Sequence, residues 1–144
     1  MFHVEHVILS VHAVATAMLC GLIWFVQVVH YPMFRHVGNA QFIEYERIHQ
    51  QRTTWIVVPL MLIELVTGVW IALAGLAPFW LAWTGVGLIG LLWLSTACVQ
   101  VPLHARLSRG WDDRAGRLLV LTNWVRTGAW SARVVIAALM IPSA

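Results

Sequence analysis

WIVVPLMLIELVTGVWIALAGLA, residues 55–77, decides the fold. It holds one ionisable residue, Glu64. At about 1.5 Å per residue it is long enough, as a helix, to cross the hydrocarbon core of a bilayer. Three stretches of the same kind flank it, at about 7–29, 79–101 and 118–141. The chain has 144 residues, of which 60% are hydrophobic and 10% charged. Soluble domains carry roughly 25% charged residues, so the composition excludes a soluble globular enzyme and a disordered chain. The expectation is an all-α fold: one membrane domain, residues 1–144, built as a four-transmembrane-helix bundle.

Proline punctuates the pattern. Pro32, Pro78, Pro102 and Pro142 fall at the ends of apolar stretches, where they are expected to stop helices. Pro59 lies in the first turns of the second, where a kink or a tolerated break is expected. The first stretch has no basic residue before it and reads as a retained helix rather than a cleaved leader.

The chain has nine Arg and no Lys. Arg35, Arg47 and Arg52 lie between the first two stretches, and Arg106, Arg109, Arg114 and Arg117 between the last two. The other connection and both ends carry none. This asymmetry places the arginine-bearing loops in the cytoplasm and both termini in the periplasm, in a multi-pass bacterial inner-membrane protein. It also accounts for the basic balance without nucleic acid as a partner. The first loop is expected to hold a cytoplasmic helical extension, capped by Asn39 and running into the second span. Asp112 and Asp113 suit the N-cap and first turn of the fourth helix. Cys20 and Cys98 are expected to be unpaired thiols.

The polar residues inside the apolar stretches carry the functional reading. At 100° per residue His12, Thr16, Cys20, Gln27 and His30 share one face of the first helix, beside a small-residue row, Ala13, Ala17 and Gly21, suited to close helix approach. Glu64 lies mid-span in the second helix, with Thr67 on its side. Asn123, Arg126, Thr127 and Arg133 lie in the fourth. Counted by depth, Arg126 and Arg133 bracket Glu64, and His12 lies near the level of Arg133. Two readings stay open for Glu64: an ion pair that fixes helix register, or a catalytic or proton-relaying carboxylate. His30, Met33 and His36 space a soft-metal motif, interrupted by Pro32. Trp55, Trp80, Trp83 and Trp111 fall where interfacial belts form.

The order of His12, Tyr31-Pro32, Phe42 to Glu46-Arg47, then Pro59, Gly68 and Trp70 resembles the first half of the HemJ-type protoporphyrinogen oxidases, over residues 8–73. The runs Gln100 to His104 and Thr122 to Thr127 resemble uncharacterised bacterial membrane proteins similar in architecture to the anthrone-oxygenase-like family. The resemblance implies a four-helix membrane protein binding haem b in a redox role. Of the site residues only His12 carries over from the resemblance, as the axial metal ligand; if haem binds, the residues themselves suggest Arg126 and Arg133 for its propionates, Asn123 beside them as a further cofactor-binding residue, and Glu64 as a carboxylate that holds an arginine or relays a proton. The oxidases place an essential Lys in their third helix, and this chain has none, which leaves the second axial position open or filled by Met140. Two further classes remain: an accessory subunit of a larger respiratory or photosynthetic membrane complex, and a small transporter or proton channel. In each, the lipid bilayer is a partner, and in the first of these so are other membrane subunits.

Overall fold

The computed structural model describes residues 4–141. They form four long helices: α1 (Val4–His36), α2 (Asn39–Ala74), α3 (Phe79–Leu107) and α4 (Asp113–Met140). α1, α2 and α3 are long and apolar enough to cross a membrane. α4 is as long, but Asn123, Arg126 and Arg133 lower its mean hydropathy, and these polar groups turn inward.

Two of the expected proline stops are passed. α1 continues through Pro32 to His36, and α3 continues through Pro102 to Leu107. Proline lacks an N–H, and its ring collides with the carbonyl four residues back. Both helices absorb the misfit with a turn of π-helix just ahead of it, at Val26–His30 and Thr96–Gln100. The Tyr31 N–H reaches the Val26 carbonyl and the Val101 N–H reaches that of Thr96. The segments VQVVHYP (26–32) and TACVQVP (96–102) thus solve one problem in the same way. Pro142 lies outside the described residues.

α2 runs unbroken from Asn39 through Pro59. Its N-cap is Gly38 in extended backbone, not Asn39, and no side chain caps it. It stops at Gly75, whose φ of +66° suits only glycine, while the Gly75 and Leu76 N–H groups both bond the Ile71 carbonyl. α4 starts as expected, with the Asp112 carboxylate accepting from the Ala115 N–H at 2.9 Å and Asp113 in the first turn. Cys20 and Cys98 are free.

The bundle has two apolar layers. Leu19, Phe34, Phe42, Leu92, Leu107 and Leu119 pack near the α1–α2 and α3–α4 connections. Leu9, Ile71, Leu81, Ala82 and Met140 pack at the other end. The small-residue row of α1 does not make the close helix contact: Ala17 and Gly21 are exposed, and a Cβ on Gly21 would meet nothing. Gly68 and Gly85 do it instead. A Cβ on Gly68 would lie 2.7 Å from Ile89 and 3.0 Å from His12, and one on Gly85 3.2 Å from the Arg133 guanidinium. Trp111 packs at the α3–α4 connection. It covers Gly116, stacks edge-on against Phe42, and bonds Asp113.

Candidate functional site

Between the two apolar layers the four helices are tied through Glu64. Its Oε1 accepts from Arg133 Nε at 2.7 Å and from the Thr16 hydroxyl at 3.0 Å. Its Oε2 accepts from the Trp130 indole at 3.2 Å. Arg133 Nη1 donates to the Gly85 carbonyl, and Nη2 approaches His12 Nε2 at 2.9 Å. An arginine has no acceptor, so His12 Nε2 must offer its lone pair there. The proton of His12 then sits on Nδ1 and is donated to the Thr67 hydroxyl at 2.7 Å, which in turn donates to the Ile63 carbonyl. Glu64 and Arg133 are each 1% exposed, so every charge in the knot is matched by its own partner.

The structure therefore unites three residues that the sequence places by depth, His12, Glu64 and Arg133, with Thr16 from the polar face of α1. The residues as placed do not fit haem at His12. Both ring nitrogens are engaged, the Cε1 edge between them lies against Gly68, and Arg133 is spent on Glu64, His12 and Gly85. Met140 belongs to the apolar layer. Arg126 takes no part in the knot.

Arg126 and Asn123 belong to a second polar region, nearer the α1–α2 and α3–α4 connections. Arg126 Nη1 donates to Asn123 Oδ1 at 3.0 Å, Asn123 donates to Gln27 Oε1 at 2.8 Å, and Gln27 donates to the Val120 carbonyl at 3.1 Å. The guanidinium lies over the Trp130 ring, 5.1 Å from its centroid, and beside the Tyr31 hydroxyl. Among the described residues the ion pairs are Arg47–Glu44, His104–Glu46, Arg106–Asp112 and Arg133–Glu64, so Arg126 is 6% exposed with no carboxylate of its own.

Arg126 lines a cavity of about 190 Å³ with Tyr31, His49, Met61, Trp93, Gln100 and His104. That is room for on the order of six waters or one single-ring molecule. Val57, Val58 and Val101 also line it, and the exposed side chains of Val58 and Val101 place its mouth between α2 and α3. Among the described residues, four buried side-chain atoms lack a hydrogen-bond partner: Arg126 Nε, Trp93 Nε1, Gln100 Oε1 and Glu46 Oε2. The first three residues line this one cavity. Orphaned groups of this kind cost roughly 1–3 kcal/mol each, more when charged.

Beside the cavity runs a chain of three groups. The Tyr31 hydroxyl meets His104 Nε2 at 3.0 Å, and His104 Nδ1 meets Glu46 Oε1. Glu46 is fully buried and also accepts from Gln50 at 3.1 Å. His49 bonds His30 at 2.8 Å and lies 5.5 Å, ring to ring, from His104. The soft-metal spacing is not realised: His30 turns to His49, Met33 is exposed, and His36 accepts from Arg35. Among the described residues no group of three or more His, Cys, Asp or Glu is arranged to hold a metal ion.

Glu46, His49, Gln100 and His104 do not stand out in the sequence because they lie outside the apolar stretches or at their edge. A signal was present nonetheless. Glu46, Gln50, Thr53, Val57, Met61 and Glu64 recur at three- and four-residue spacing, so the buried stripe of α2 continues past its apolar part. The two X-Pro steps in α1 and α3 mark the π-turns that set Tyr31 and Gln100. Compared with protein-family models, with curated proteins and with solved structures, the chain matches none of them.

Proposed function

We propose that the protein is a multi-pass membrane protein that binds a small lipophilic molecule bearing a polar, oxygen-containing head in the cavity at Arg126. The carrying observation is that Arg126, Trp93 and Gln100, each with a buried polar atom left unpartnered, line one cavity. Two donors and an acceptor suit a head with at least one acceptor oxygen and one hydroxyl. The mouth between α2 and α3 is lined by valines, which suits lateral entry from the hydrocarbon of a bilayer.

All four helices span the membrane in this reading, α4 with its polar groups inward. The arginine-bearing connections lie in the cytoplasm, as their seven arginines support. The resemblance to small bacterial membrane oxidases supports an inner-membrane location. Glu64, Arg133 and His12 hold the helices in register, and the ligand chemistry belongs to the Arg126 cavity.

Extraction of the detergent-purified protein followed by mass spectrometry tests this. Wild type carries a small lipophilic molecule in near-stoichiometric amount, and Val101→Trp, which fills the mouth from an exposed position, loses it. Equal recovery from both proteins, or none from wild type in native membranes, overturns the reading.

A further inference from the structure

Resting on that reading, we infer that the cavity takes a lipophilic weak oxygen acid, a phenol or enol, and holds it as its anion, with Tyr31 as the base that removes the proton.

The titratable groups lining the cavity come from every helix, Tyr31 from α1, His49 from α2, His104 from α3 and Arg126 from α4, with His30 behind His49 and Glu46 behind His104. Their polarity is ordered. Arg126 and Trp93 line the cavity, and each holds a donor that nothing in the protein accepts from. A guanidinium fixed in advance beside the cavity favours a negative oxygen over a neutral one, because it needs little reorganisation. Arg126 also lacks a carboxylate partner, so an anion in the cavity supplies the missing countercharge.

The proton has a route. Tyr31 touches the cavity and contacts His104 Nε2 at 3.0 Å, and the other face of that imidazole is held by the buried Glu46 carboxylate. The ligand O–H bond breaks and its proton passes to Tyr31 Oη. Tyr31 gives its own proton to His104 Nε2, and the resulting imidazolium faces Glu46. No electrons move between groups and no co-reactant is required. The carboxylate–imidazole–hydroxyl order is one that holds an imidazole in a single tautomer and stabilises its protonated form. In the proton transfer Tyr31 and Arg126 meet the ionising oxygen, and His104 and Glu46 act through Tyr31.

An alkyl nitrophenol is a suitable probe, because its colour reports its own ionisation. Bound to wild-type protein in detergent, it is predicted to ionise at a pH at least one unit lower than in detergent alone. Arg126→Gln loses most of that shift. Tyr31→Phe still binds the probe but leaves it largely neutral at neutral pH. His104→Gln behaves like Tyr31→Phe, while Arg126→Lys restores part of the shift lost in Arg126→Gln. If the wild type binds the probe with unshifted ionisation, or if Tyr31→Phe keeps the full shift, the acid–base inference fails while the ligand cavity stands. If the wild type does not bind the probe, and binds no uncharged lipophilic alcohol or ketone of the same size, the cavity reading fails with it.

Discussion

Arg133 Nε donates to Glu64 Oε1 at 2.7 Å between two helices, with both side chains 1% exposed. Arg126, seven residues earlier on the same helix, is nearly as buried but pairs with no carboxylate. Two arginines of one face thus divide the interior into a closed knot and an open site. Between helices in lipid, polar contacts of this kind replace the hydrophobic drive that assembles soluble bundles.

The knot predicts strong and selective coupling. Glu64→Gln and Arg133→Gln each leave a buried charge unmatched and are expected to cost about 3–5 kcal/mol. The double variant costs well under the sum, whereas Glu64→Gln combined with Arg126→Gln, which meet only through Trp130, departs from additivity by less. Unfolding equilibria in detergent measure both cycles. Additivity of the Glu64–Arg133 pair would contradict the knot.

Gly68 and Gly21 are expected to respond in opposite senses to alanine. At Gly68 a Cβ meets Ile89 and the His12 ring, so Gly68→Ala costs about 1–3 kcal/mol through overpacking. At Gly21 a Cβ meets nothing, and Gly21→Ala gains up to about 1 kcal/mol of helix propensity. Paired melting curves in one detergent check the contrast.

Asp112 gives a pH signature outside the spans. The Ala115 N–H, and then Arg106, hold its carboxyl below the ordinary aspartate range. A folded-state pKa below the unfolded one contributes stability above the unfolded value, and that contribution disappears as pH falls through the folded value. Asp112→Asn keeps an N-cap acceptor but is expected to lose this acid-side dependence. Melting temperatures between about pH 6 and about pH 3 compare the two.

Orientation is tested separately. A reporter active only in the cytoplasm, fused to the C-terminus, is expected to be silent, because all seven connection arginines lie at the opposite end. A bright fusion reverses the proposed topology and leaves the cavity as it is.

The number of helices, and the apolar character of α1, α2 and α3, were legible because length and hydropathy alone decide them. Glu64, Arg133 and His12 were legible as neighbours because depth along straight helices is simple arithmetic. Pro32 and Pro102 misled, since a π-turn lets a helix pass a proline that local sterics would use to end it. The placement of Arg126 was not legible either: which of two inward arginines finds Glu64 depends on helix rotation and on Gly85, whose carbonyl accepts from Arg133. Glu46 and His104 lie 58 residues apart and meet only when the arginine-bearing ends of α2 and α3 pack together.

The central claim is that the void at Arg126 is an occupied binding site. The most direct measurement is a high-resolution experimental map of the protein purified from native membranes. Non-protein density in the cavity against the side chains of Arg126, Trp93 and Gln100 is the predicted result. Side chains closed on one another there, with those three groups bonded to each other or to water and no density between them, would contradict it.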